Sequence, residues 1–154
     1  MLAVGSLPGM RAVRALLVDV DGVLTVSWHA LPCAAEAMAA VRAADVPVRF
    51  VTNTTSMTRA AIGAALRGEG IAADDDEVIT AVTVTAAYLA SKHPEARVYV
   101  LNAGDVREDL AGGQLVDSAS EADVVVLGGA GPQFGWEQLN DVFQALLDGA
   151  RLGA

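Results

Sequence analysis

The chain has 154 residues, 53% of them hydrophobic and 19% charged, with a formal net charge of −9. That length accommodates one domain with a real core, or a small domain plus part of another, and the apolar content excludes a disordered chain. The acidic balance argues against nucleic acid and anionic membrane as partners, and no apolar run reaches the roughly 18 residues of a membrane span.

Residues 1–10 carry no basic stretch and only a short apolar one, which argues against a secretory leader; Met10 is a second candidate start. Val13 to Val20 is a short, nearly continuous apolar run closed by Asp21-Gly22, the pattern of a buried strand. Pro32 introduces an alanine-rich helix over 33–44, and Val46 to Val51 reads as a second buried strand ending at Thr52-Asn53-Thr54-Thr55-Ser56. A helix over about 57–68 places Ile62, Ala65 and Leu66 on one face and ends at Gly68 and Gly70. Ile71 to Glu77 reads as a solvated connector.

The second half repeats the alternation without repeating the sequence. It reads as a helix over 81–92, a strand from Arg97 to Leu101, a short helix over 105–111 and a strand from Asp123 to Leu127. A last helix over about 136–148 puts Trp136, Leu139, Phe143 and Leu146 on one stripe, with Trp136 and Phe143 expected in the core. Continuous apolar strands alternating with helices predict an α/β fold, a parallel sheet covered by helices. A boundary near residues 72–82 separates the halves. Cys33 is the single cysteine, so no internal disulfide can form; a reduced, cytoplasmic setting is expected, with Cys33 itself a packing residue.

The chemistry gathers at the ends of the first two strands. Alternate strand residues share a face, so Asp19 and Asp21 can emerge together at the carboxyl edge of the first. Two unpaired carboxylates a few Å apart repel, an arrangement suited to a hard cation and to a step needing one anionic and one protonated carboxyl. Asp19 is the candidate nucleophile for in-line attack on a phosphoryl group, and Asp21 the candidate acid and base. Mg²⁺ would bridge Asp19 and the phosphate, with the Asp21 carbonyl as a further ligand. Gly22 allows the sharp turn that exposes backbone amides to phosphate. Ligands of parallel α/β sheets sit at the strands' carboxyl ends, which puts Thr52 on the same rim as Asp19. Thr52 to Ser56 also suit capping of the helix that follows, a role compatible with holding phosphate.

Leu17-Val18-Asp19-Val20-Asp21-Gly22-Val23-Leu24 and Phe50-Val51-Thr52-Asn53-Thr54-Thr55 resemble motifs I and II of the haloacid dehalogenase superfamily. Leu31-Pro32-Cys33-Ala34-Ala35-Glu36-Ala37 and Leu146-Leu147-Asp148-Gly149-Ala150 narrow the resemblance to the type-IIA subfamily, near the phospholysine phosphohistidine inorganic pyrophosphate phosphatases. The resemblance implies a Mg²⁺-dependent phosphatase working through an aspartyl-phosphate on a small phosphorylated molecule. Asp19 and Asp21 would be the catalytic and metal-binding residues, and Gly22, Thr52 and Asn53 would hold phosphate. It implies a partial Rossmann-like core in residues 1–80, followed by the first part of an α/β cap in 81–154. Family members run longer, and the motif III lysine and motif IV acidic cluster are absent here: no lysine follows Lys92. A truncated enzyme is therefore expected, impaired by itself, with an exposed apolar sheet edge inviting homo-oligomers or a missing C-terminal segment.

Two other classes stay open, a receiver-like phosphoacceptor and a non-catalytic fragment that binds a partner. Receivers present adjacent acids on the first strand, which Asp19-Val20-Asp21 fits poorly. Gly128-Gly129-Ala130-Gly131 is not the glycine spacing of a nucleotide loop and reads as a cap loop. Asp74 to Glu77 reads as a solvated loop or helix start, His29 as incidental and His93 as structural.

Overall fold

The structure, a computed structural model, describes residues 13–153. The readings of residues 1–10 as lacking a leader, and of Met10 as a start, lie outside the described residues. Strands β1 (Leu16–Asp19), β4 (Val48–Thr52) and β5 (Val78–Thr80) form a parallel sheet in the order β1-β4-β5. Between β1 and β4 lie the small antiparallel hairpin β2 (Thr25–Val26) and β3 (His29–Ala30), and helix α1 (Ala34–Ala43). Helix α2 (Arg59–Gly68) follows β4.

The second sheet is also parallel. It comprises β6 (Arg97–Leu101), β7 (Gln114–Val116), β8 (Val124–Leu127) and β9 (Arg151–Gly153), in the order β7-β6-β8-β9. Helix α3 (Ala81–Lys92) precedes it, and α4 (Trp136–Leu147) joins β8 to β9. The expected α/β class with parallel sheets is what the chain forms.

Alternation along the strands decides the packing. In β4, Val48, Phe50 and Thr52 are buried while Arg49 is exposed. The buried row meets Met38 of α1 and Ile62 and Leu66 of α2, all in one cluster with Val20, Leu24 and Val78. Both helices therefore cover the same face. The other face carries Leu17, 73% exposed, and Arg49, so among the described residues no helix covers that side, where the continuous apolar strands suggest a sheet sandwiched between helices. The second sheet is covered on both faces. Val125 packs with Val142 and Ala145 of α4, and Val124 and Val126 pack with Leu89 of α3.

Several expectations need correction. The connector is only partly solvated: Ala72 and Asp74 to Asp76 are exposed, but Ile71, Ala73 and Glu77 are buried, Asp75–Glu77 is a turn of 3-10 helix, and Val78 starts β5. Glu77 is buried because Arg42 of α1 pairs with it, Nη1 donating to Oε1 at 2.6 Å and Nη2 to Oε2. That guanidinium, outweighing the effect of burial, holds the Glu77 carboxyl below the usual carboxylate range. On α4 most of the stripe faces outward: Trp136, Leu139 and Phe143 are exposed, Leu146 alone of the four packs against the core, and the smaller Val142 and Ala145 are buried. The helix expected over 105–111 is a 3-10 turn, Arg107–Leu110. Cys33 is exposed rather than packed, at φ 67° where α1 begins.

Arg97 and Asp123 join the starts of β6 and β8, Nη2 donating to Oδ1 at 2.8 Å and the Arg97 amide to Oδ2 at 2.9 Å. The guanidinium, with that amide, pushes the Asp123 carboxyl down to about 2. None of the described helices is long and apolar enough to cross a membrane.

Candidate active site

β1 and β4 run in register with Asp19 beside Val51, so their carboxyl ends share one rim. Thr52 lies one residue further along and is buried on the helix side, level with Val20, whereas Asp19 emerges exposed on the open side. The two side chains leave the sheet on opposite faces, and the hydrogen-bonded link from Thr52 runs to Asp21 rather than to Asp19.

The turn after β1 is built by backbone bonds: Thr25 N–H donates to Val20 O at 3.0 Å and Gly22 N–H to Thr25 O at 2.7 Å. Gly22 takes φ 79°, a left-handed conformation that a side chain resists. Asp19 Oδ1 accepts from the Val20 amide at 2.9 Å, which orients that carboxylate at the strand end.

Thr54 links the two strand ends. The Thr52 hydroxyl donates to Thr54 Oγ1 at 3.0 Å, and the Thr54 hydroxyl donates to Asp21 Oδ2 at 3.3 Å. The Thr54 amide in turn donates to Thr52 Oγ1 at 3.1 Å. Asn53 is exposed and stands outside this chain. None of Thr52 to Ser56 caps α2; Thr58 does so, its Oγ1 accepting from Ala61 N at 3.2 Å. Thr54 is the residue that sequence reasoning missed. Its signal was the run of hydroxyls after β4, read as helix caps.

Asp19 and Asp21 together offer exposed, hard oxygen donors of the kind magnesium or calcium takes while keeping part of its water shell. Among the described residues no group of three or more acidic, histidine or cysteine side chains is placed to hold a metal. The donor set thus fits a divalent cation completed by water and a phosphate oxygen, and does not form a closed protein cage.

A parallel α/β sheet with an Asp-x-Asp-Gly turn and a threonine on one rim defines a class, and the chain belongs to it. Residues 16–115 match the model of the haloacid dehalogenase-like hydrolase family, and the chain is a type-IIA member of that family. It is 36% identical over 142 residues to the human haloacid dehalogenase-like hydrolase domain-containing protein 2, covering 92% of this chain and 52% of that protein. The p-nitrophenyl phosphatase of Archaeoglobus fulgidus superimposes with a TM-score of 0.81 at 26% identity, over 90% of this chain and 53% of that one. A glycerol phosphate phosphatase of Mycobacterium tuberculosis, solved in complex with calcium, gives 0.76 at 27%, over 90% and 41%. The chain spans about half the length of the curated relatives it matches.

Proposed function

We propose that this chain carries the nucleophile half of a divalent-metal-dependent phosphatase acting on a small phosphorylated molecule, with Mg²⁺ as the metal. In this reading the first sheet belongs to the catalytic core, up to about residue 80, and residues 81–154 belong to a cap. The carrying observation is the hydroxyl chain from Thr52 through Thr54 to Asp21, at the rim where Asp19 also emerges.

An Asp19 carboxylate oxygen attacks phosphorus in line, the ester P–O bond breaks, and Asp21 gives its proton to the departing alkoxide. Water then attacks the aspartyl-phosphate, Asp21 takes the water's proton, and cleavage of the bond to Asp19 releases phosphate. The turn at Gly22, with Thr52 and Asn53, supplies donors for the phosphate oxygens. A bound Mg²⁺, held by Asp19 and Asp21, would neutralise charge on the phosphate and the attacking carboxylate.

Family membership and the likeness to two phosphatases support this reading. It is tested by trapping a phosphoenzyme from a small aryl phosphate, with the chain alone and supplemented by the remaining segment of a full-length relative. Label on the wild-type chain and none on Asp19→Asn is the expected result. Equal labelling of both removes Asp19 from the role.

A further inference from the structure

The second sheet runs β7-β6-β8-β9, so the chain leaves β6 toward one side for β7 and crosses back to the other for β8. The connections diverge between the carboxyl ends of β6 and β8. In open parallel sheets that crevice is where a ligand sits. Here it holds a loop of the protein itself.

Asn102, the first residue after β6, uses both ends of its amide. Nδ2 donates to the Thr55 carbonyl at 2.7 Å and to the Gly104 carbonyl at 2.8 Å, while Oδ1 accepts from the Gly129 amide at 2.8 Å. The surrounding glycines make this approach possible. A Cβ at Gly104 would lie 1.8 Å from Ser56 O, and one at Gly128 would lie 2.2 Å from Asn102 Oδ1. The far end of the same segment is tied as well: Asp109, nearly buried, accepts from the Arg59 amide at 2.7 Å. This carboxylate satisfies a donor at the start of α2 that has no partner within the helix. The stretch from Thr55 to Arg59 is thus held at one end by Asn102, just after β6, and at the other by Asp109 in the 3-10 turn between β6 and β7.

We propose that Asn102 is a positioning residue. It fixes the Thr55–Ser56 peptide, one residue past Thr54, so that the Thr54 hydroxyl reaches Asp21, and through it the second sheet sets the geometry of the phosphate loop on the first. Asn102 does not itself touch phosphate. The bearing on phosphate rests on the phosphatase reading above; the clamp does not.

Asn102→Asp is close in shape and keeps the acceptor for Gly129 N–H, but it turns a donor into a carboxylate facing the Thr55 and Gly104 carbonyls. Gly104→Ala leaves Asn102 intact and pushes the loop away by contact. With the ¹⁵N-labelled chain, the Thr54 amide, bonded to Thr52 Oγ1, reports loop order by hydrogen exchange, and inorganic phosphate with Mg²⁺ reports binding. Both variants are expected to speed Thr54 exchange about tenfold or more and to weaken phosphate about fivefold or more. The thermal midpoint should fall by no more than the few degrees that the lost bonds require, while the Val48–Val51 amides keep their protection; a general loss of structure would expose those amides together with Thr54. Thr54 exchange unchanged in Asn102→Asp overturns the clamp. A loosened loop with undiminished phosphate affinity overturns the positioning role. A wild-type chain that ignores phosphate, with the loop still loosened in both variants, overturns the phosphatase reading and supports the clamp.

Discussion

Thr54 stands between Thr52 and Asp21, accepting from one hydroxyl at 3.0 Å and donating to the carboxylate at 3.3 Å. One short side chain thereby couples the end of β4 to the turn after β1. Replacing it by valine keeps the shape and removes both bonds. At about 1 kcal/mol net per hydrogen bond, Thr54→Val should lower stability by about 1–2 kcal/mol. It should weaken phosphate binding about tenfold, because Asp21 and Thr52 lose their common partner. Thermal denaturation and a phosphate titration with Mg²⁺ measure the two effects.

The Arg42–Glu77 pair closes the core between α1 and the start of β5. Glu77→Gln leaves the guanidinium half-buried against a neutral group, and a loss of about 2 kcal/mol is expected in urea denaturation. The pH dependence has a definite sign. Glu77 titrates below its ordinary value in the folded chain, so its contribution is complete above the unfolded carboxylate pKa of about 4.3 and is lost as pH falls through the lower folded value. Wild-type stability should therefore drop on the acid side of about pH 4, and the variant should drop less steeply there.

Two glycines give opposite outcomes for the same substitution. A Cβ at either Gly22 or Gly68 meets nothing within 4 Å, so only the backbone decides. Gly22 lies at φ 79°, and Gly22→Ala should cost about 1 kcal/mol and shift the turn carrying Asp21. Gly68 closes α2 without a left-handed φ, and Gly68→Ala should stabilise by about 0.5–1 kcal/mol. Thermal midpoints of the two variants should move in opposite directions.

The open side of the first sheet predicts a contrast between neighbours. Leu17 is largely in solvent, whereas Phe50 is fully buried against α1 and α2. Leu17→Thr should change stability by less than about 0.5 kcal/mol while reducing concentration-dependent light scattering. Phe50→Ala should cost about 3–5 kcal/mol.

β1, β4, β6 and β8 were legible because each is an apolar run closed by a polar or glycine turn, and the four α-helices because each has sustained periodicity or alanine content. The strands β2, β3, β5, β7 and β9 have two or three residues each, too few for a period of two to stand out. Glu77 looked solvated because its partner, Arg42, lies 35 residues away. The α4 stripe misled for a related reason: helical spacing put the large Trp136 and Phe143 on one stripe, but the neighbouring stripe of Val142 and Ala145 is the one that packs against Val125 of β8. Asp19, Asp21 and Thr52 could be read as candidates because their spacing puts them at strand ends. Thr54 and Asn102 could not: Thr54 reaches Asp21, 33 residues away, only once β1 and β4 pair, and Asn102 reaches the Thr55 carbonyl only once the second sheet meets the loop after β4.

The only sulfhydryl of the chain, that of Cys33, stands in solvent at the start of α1, three residues after the β2–β3 hairpin ends at Ala30. A maleimide fluorophore can therefore be attached at one defined spot without mutagenesis, and its anisotropy would report hairpin motion beside the motif I turn. The same sulfur lets air oxidation couple molecules in pairs and no further, so preparations kept without reductant should show a covalent species of twice the mass on a non-reducing gel.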